Sequence, residues 1–320
     1  MCSTQEPLFS VVVVIVSDTT SRCDVSLLSG CLEALARQAD PPPLEVIVPY
    51  HPGTEGVEGL RRRFPRVAFR RADDLKTLKH KGGSNDYHNE LRARGLDAAR
   101  GDLIGLLEDH ARPDPHWCRR MVEAHALDYA AVGGAIENQH DRPVNWAVYF
   151  CDFGRYQNPL PEGETPCASD ANITYKRSAL EAVRPAWQEV FQETAVNGAL
   201  RARGARLGLA PGAVVYQERG RLRLGRAFRE RIIWARSFAA ARGRLAGLRR
   251  RLIYAALAPA LPLLLLGRMT GNALKKRRCR TAFFKSLPLT ALLTVGWSWG
   301  EFTGYLTGRA SPGAEDGRLS

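Results

Sequence analysis

Short apolar runs alternating with stretches of helical periodicity fill the first two thirds of the chain. Residues 9–16 are apolar except at Ser10 and rich in valine, the pattern of a strand buried on both faces. Residues 44–48 and 67–69 predict a second and a third strand. Between the first two, Leu27, Leu28, Cys31, Leu32 and Leu35 recur at helical spacing, and the prolines at 41–43 break the chain. Residues 60–64 read as a short helix. A longer one is predicted over 86–99, where Leu91, Leu96 and Ala99 share a face and Gly101 closes the end as a left-handed cap. The apolar run 103–107 is the next strand. It ends in Glu108-Asp109-His110, and Pro113 and Pro115 stop any further ladder. A helix over 117–129 and a strand over 131–136 follow. Residues 138–166 show no period and read as irregular. A turn, a strand and a helix start are predicted over 168–180, a helix after Glu193 ending at Gly204, and a closing pair of strands at 207–209 and 213–216. This alternation predicts an α/β fold with a mixed, mostly parallel sheet flanked by helices.

Beyond residue 217 the pattern changes. Residues 222–251 set Leu222, Leu224, Phe228, Ile232, Ile233, Trp234 and Phe238 among arginines, the signature of a helix lying on a membrane surface. Residues 252–267 carry no charge but contain Pro259 and Pro262, and fall short of the ~20 residues a helix needs to cross a bilayer. If that run spanned alone, the basic segment after it would sit outside, against the positive-inside rule. A re-entrant or in-plane hairpin is therefore expected. Residues 287–306 are long enough to cross or to lie in the interface, although they include Glu301. The expected divisions are 1–217 for a catalytic α/β domain, 218–251 for the basic helix, 252–307 for an apolar membrane-associated hairpin, and 308–320 for a disordered tail.

Charge sharpens this division. The 320 residues carry a net +13, but residues 219–251 alone hold twelve arginines against one acid, Glu230, and 268–285 add seven Lys/Arg and no acid. The remainder is slightly acidic. Basic segments that flank apolar runs point to an anionic membrane surface rather than to nucleic acid. The seven cysteines are scattered without CxxC spacing, which fits a reducing compartment and no zinc site. No basic segment precedes the first apolar run, so a signal peptide is not expected and the main domain belongs on the cytoplasmic face of the membrane.

The chemistry concentrates after the strand at 103–107. In open α/β sheets ligands sit outside the carboxyl ends of the strands. Two carboxylates and an imidazole at that place suit a divalent metal bridging to the oxygens of a diphosphate. The aromatic residues Trp146, Tyr149, Phe150, Phe153 and Tyr156 form either a loop packed on the core or a wall for a sugar or acceptor.

Four segments together resemble the family 2 glycosyltransferases, which have the GT-A (Rossmann-like) fold. Val11 to Val16 with the polar loop after it resembles the family's first strand. Leu91-Arg92 through Gly95, Ala99-Arg100-Gly101-Asp102, Glu108-Asp109-His110 and then Pro113, Pro115 and Trp117 are similar to its "ARNRG…AARGE…FLDDD…P.P.WL" run. Ala171-Asn172, Tyr175-Lys176-Arg177 and Leu180 resemble "G.N..YRR..L". Gln192-Glu193, Leu200-Arg201, Gly204 and the run Ala210-Pro211 to Tyr216 resemble "ED..L..RL…G……P.AVVYH". The likeness covers about residues 9–217.

The resemblance implies an inverting glycosyltransferase that takes a sugar from a nucleotide-diphosphate donor; the membrane-associated segments, not the resemblance, point to an acceptor that is lipid-linked or a cell-envelope polysaccharide. It implies Glu193 as the general base. Arg92, Glu108 and Asn172 become donor-binding residues, and Asp109 and His110 ligands to Mn or Mg. His110 replaces the last carboxylate of the family's DxD region; imidazole suits Mn better than Mg, which prefers oxygen. The second strand ends in Val48-Pro49-Tyr50-His51, where the family places an acid on the nucleobase, and Asp18 or Asp73 is the substitute. Only one acid of the "ED" pair is kept. A QxxRW motif is absent, which argues against a processive synthase. The alternative is an inactive sugar-nucleotide-binding or scaffold protein of the same fold.

Overall fold

The computed structural model describes residues 9–17, 25–76, 86–245 and 247–309. Its centre is a mixed sheet in the order β3-β2-β1-β4-β8-β6-β9-β5, with β7 paired to β9. The strands are β1 Phe9–Val14, β2 Leu44–Tyr50, β3 Val67–Arg71, β4 Leu103–Glu108, β5 Ala111–Pro113, β6 Ala131–Asn138, β7 Gly163–Thr165, β8 Asn172–Lys176 and β9 Leu207–Gln217. The helices between them are α1 Val25–Ala36, α2 Val57–Arg63, α3 Asp86–Ala98, α4 Trp117–Ala124, α5 Pro143–Asp152, α6 Arg177–Ala182 and α7 Glu193–Ala202. β1, β2, β3 and β4 are mutually parallel, as a valine-rich run buried on both faces requires.

Alternation along β1 divides the core into two layers. Val12 and Val14 face one side with Leu91 and Leu96 of α3. Val11, Val13 and Ile15 face the other with Leu28 and Leu32 of α1 and Trp117 and Met121 of α4. Helix α3 lies so close to β1 that a Cβ at Gly95 would stand 2.2 Å from Val12 Cγ1. Two registers place the functional region. Val14 pairs with Glu108 between parallel β1 and β4, which aligns their carboxyl ends. β8 runs antiparallel to β4 with Asn172 opposite Leu107, so the turn entering β8 arrives beside Glu108.

Several local expectations change. Residues 143–152 form helix α5 in a stretch read as irregular. Pro143 occupies its first turn, where a missing N–H costs nothing. Its neighbours Ala147, Val148, Tyr149 and Phe150 are all buried, so no helical period showed. The closing pair of strands is the single β9, with a register shift opposite Gly134/Ala135. The helix from Trp117 stops at Ala124.

The basic segment is two helices rather than one, α8 Leu224–Leu245 and α9 Leu248–Leu257, with Gly247 at the N-cap of the second. Through a 3-10 turn α9 runs on into α10 Leu261–Lys276. Together, Leu248–Lys276 form 29 helical residues whose most apolar window has a mean hydropathy of 1.7 and is 11% buried. This is long and apolar enough to cross a membrane, which the shorter uncharged run had argued against. The helix gains its length by extending past that run at both ends. The long helix α11, Arg280–Thr307, instead spends one face on α8: a Cβ at Gly300 would meet the Ile232 carbonyl oxygen at 2.5 Å.

These helices pack on the α/β domain. Arg231 of α8 forks onto both oxygens of Asp152, at 2.7 Å for the Nη2–Oδ2 arm. Phe283 of α11 stacks edge-on against Phe150 at 5.0 Å between ring centres. The turn between α10 and α11 is pinned by Arg278 to Glu137 at 2.8 Å and by Lys276 Nζ to the Arg155 carbonyl at 2.8 Å. The expected tail from residue 310 onward lies outside the described residues.

Candidate active site

The carboxyl ends of β1 and β4, the turn before β8, the start of α7 and one side chain of α3 meet in a cluster of charges. Arg92 reaches it from α3 with only 6% exposure. Its Nη2 lies 3.1 Å from Asp170 Oδ2 and 3.5 Å from Glu108 Oε1, and its Nη1 donates to Asn89 Oδ1. The Asn89 carbonyl in turn accepts from the Phe191 N–H, which draws the segment before α7 toward Arg92. The Asp170 N–H donates to Glu193 Oε2 at 3.0 Å.

The imidazole of His110 is wedged between its two predecessors. Nε2 lies 3.2 Å from Glu108 Oε2, and Nδ1 3.3 Å from Asp109 Oδ1. Asp109 is fully buried and also accepts from the Val16 N–H at 3.1 Å and from the Ser17 hydroxyl. From the far side, Arg226 of α8 donates to the Ser17 carbonyl at 2.9 Å.

Electrostatics separates these groups into two sets. Burial pushes Glu108 and Asp109 up, but the hydrogen bonds and charge of His110 outweigh it and hold both below the usual carboxylate range. Burial opposes charge on His110 as well, yet its two carboxylate partners raise it to about 9. Glu193 goes the other way. Burial first, then the charge of Asp170, raises it to about 8. Burial raises Asp170 too, against the attraction of Arg92. A carboxyl poised near neutrality beside a set of fixed charges is suited to taking a proton from a hydroxyl.

Of the expected site residues, Arg92, Glu108, Asp109, His110 and Glu193 come together. Asn172 does not offer itself to a ligand. It is fully buried, its amide donates to the Ala135 and Ala213 carbonyls, and its oxygen accepts from Trp117 Nε1 at 2.8 Å. It is a positioning residue that ties β8, β6, β9 and α4 together. Asp73 follows β3, which is at the sheet edge, and pairs with Arg71 at 2.7 Å on the surface. Asp18 lies outside the described residues. Tyr149, Phe150 and Tyr156 are buried in a cluster with Ala273 and Phe283, so these rings serve packing rather than an open wall. Asp170 was not foreseen. Its signal was its place two residues before Asn172, in the turn that the antiparallel β8 brings to Glu108.

The donor set does not fit a divalent ion as it stands. Asp109 is closed and its oxygens are engaged, both nitrogens of His110 face carboxylates, and among the described residues no three His, Cys, Asp or Glu side chains form a metal-holding group.

Residues 19–184 match the family model described as glycosyl transferase family 2. A glucosyl-dolichyl phosphate glucuronosyltransferase of Haloferax volcanii is 26% identical over 96 residues, 29% of this chain and 28% of that protein's length. Among solved structures, the mannosyltransferase PcManGT from Pyrobaculum calidifontis, in complex with GDP-Man and Mn2+, is 18% identical. The match covers 95% of this chain and 86% of that one, with a TM-score of 0.49. S. aureus TarS 1-349 is 13% identical over 72% of this chain and 64% of that one, with a TM-score of 0.46.

Proposed function

The chain belongs to glycosyl transferase family 2, and from that premise we propose that it moves a sugar from a nucleotide-diphosphate donor to an acceptor hydroxyl with inversion at the anomeric carbon. The donor lies outside the carboxyl ends of β1 and β4, against Glu108, Arg92 and the loop at Ser17. Glu193 takes the acceptor proton as the hydroxyl attacks the face opposite the departing diphosphate. Arg92 stabilises negative charge in a nearly closed site, where a fixed cation acts more strongly than in water. The observation that carries this reading is the raised, half-buried carboxyl of Glu193 beside Asp170, one ion pair away from Arg92 and Glu108.

The acceptor, in this proposal, is a lipid-linked sugar or a growing envelope polysaccharide reached at the cytoplasmic face of the membrane. Leu252, Leu257, Leu263 and Leu264 of α9 and α10 stand exposed along the helical run 248–276, and arginines and lysines flank it. That combination supports docking on an anionic bilayer.

The test is a binding and hydrolysis screen of the detergent-purified chain against UDP-, GDP-, dTDP- and CMP-sugars. One sugar nucleotide that stabilises the fold and is slowly hydrolysed, with hydrolysis lost in Glu193→Gln, is the expected result. A folded chain that binds none of them would sink the proposal.

A further inference from the structure

Resting on the sugar-nucleotide reading, we propose that this chain binds its donor without a divalent metal, the His110 ring occupying the place between Glu108 and Asp109 where an ion would sit. Metal ligation needs a vacant valence on each donor atom. A carboxylate ligates through an oxygen that can face the ion. Asp109 has 0% exposure, and its oxygens already accept from the Val16 N–H, the Ser17 hydroxyl and His110 Nδ1. An imidazole ligates through a nitrogen lone pair that points at the metal. His110 is 3% exposed and leaves neither nitrogen facing open space, one being 3.2 Å from Glu108 and the other 3.3 Å from Asp109.

Of the three side chains at 108–110, Glu108 is the most exposed, at 13%, and its oxygens are shared between Arg92 and His110. One shared carboxylate is a poor site for Mn or Mg, which take several oxygen or nitrogen donors. Admitting an ion would require the closed imidazole to leave both carboxylates and Asp109 to give up its Val16 and Ser17 donors, each a buried hydrogen bond that is costly to lose.

Positive charge is supplied instead by fixed groups. Arg92 enters from α3. Arg226 enters from α8, donates to the Ser17 carbonyl and pairs with Glu230 at 3.2 Å. A guanidinium remains charged at any working pH and forks onto phosphate oxygens, so it neutralises a departing diphosphate without an ion.

The experiment uses the full chain in detergent, stripped with EDTA. Binding of the donor found in the screen is measured by calorimetry in EDTA and again with added Mn2+, and Mn2+ binding to the chain is followed separately by electron paramagnetic resonance. The expected result is a Kd that differs by less than about threefold between the two conditions, and no protein-bound Mn2+. A larger loss of affinity in EDTA, or stoichiometric Mn2+ on the wild-type chain, overturns the proposal. His110→Asp rebuilds an acidic triplet and is expected to gain Mn2+ binding. If that variant does not fold, the two wild-type measurements decide. Failure to bind any sugar nucleotide in either condition would overturn the sugar-nucleotide reading itself, and the resonance measurement would still decide the metal.

Discussion

The main-chain N–H of Asp170 is the hydrogen-bond donor to the carboxylate of Glu193, at 3.0 Å. Two acids are thus held together by the backbone of one of them, and Arg92 faces only Asp170 directly. The charge of Asp170 raises Glu193, so ionising both at once is unfavourable. In the proposed reaction, the ionised form of Glu193 is the one that takes the acceptor proton.

Glu193→Gln preserves the shape of the side chain and its bond from Asp170. Transfer to acceptor should fall by roughly 10²–10⁴-fold, the usual contribution of a positioned base. Donor affinity should stay near wild type. Single-turnover rates beside calorimetric binding will separate the two.

Glu193 also sets an expectation for pH. A base works deprotonated, so kcat/KM should rise with pH and level off above about 8. The same group makes stability move the opposite way. Its folded pKa lies above the unfolded value of about 4.3, so the native state binds more protons in between. The stability it contributes is complete below the unfolded pKa and lost as pH climbs through about 8. Glu193→Gln should flatten both profiles, read by initial rates and by thermal melts across pH.

Arg92→Met should be among the more damaging changes in the α/β domain. It leaves Glu108 and Asp170, 13% and 25% exposed, without their buried guanidinium, a loss of at most about 3–5 kcal/mol. Arg92→Lys should recover only part, because one ammonium cannot fork between two acids. Denaturant midpoints of the three proteins in detergent will rank them.

Gly300→Val should loosen α11 from α8. Its Cβ would stand 2.5 Å from the Ile232 carbonyl oxygen and 2.7 Å from Ala235 Cβ. Overpacking of this kind costs about 1–3 kcal/mol, and backbone is the unyielding partner here. Protease nicking near residues 277–279 should speed up.

Leu263→Asp with Leu264→Asp should weaken partition onto anionic vesicles while leaving donor binding unchanged. These side chains are 79% and 58% exposed and touch no part of the charged cluster. Sedimentation with vesicles, beside the donor-binding assay, checks both halves.

The strands that build the charged cluster were legible because burial on both faces leaves an unbroken apolar run, as in β1 and β4. Helix α5 was not, for a related reason. A helix covered on several sides loses the polar stripe that reveals its period. The cluster's acids at 108 and 109 were visible, but their division of labour was not. Only the fold shows that Asp109 turns inward to Val16 and Ser17, and that Asn172 is consumed by two carbonyls and an indole. The basic segment misled in part. Its composition reads as a face turned to lipid or water, yet Arg231 points inward to Asp152, and Arg219 pairs with Glu230, itself 2% exposed. A count of arginines carries no information about which of them find an acid from another part of the chain.

The forked pairing of Arg231 with Asp152, and Phe283 against Phe150, mean that the chain has no seam at residue 217. A trimmed protein ending there, the obvious design for a water-soluble version, would open an oily interior to water and strand Asp152 without its cation. Such a fragment would clump before it could be assayed. The greasy end is structural masonry for the polar centre, so whoever wants the chemistry must handle the protein whole.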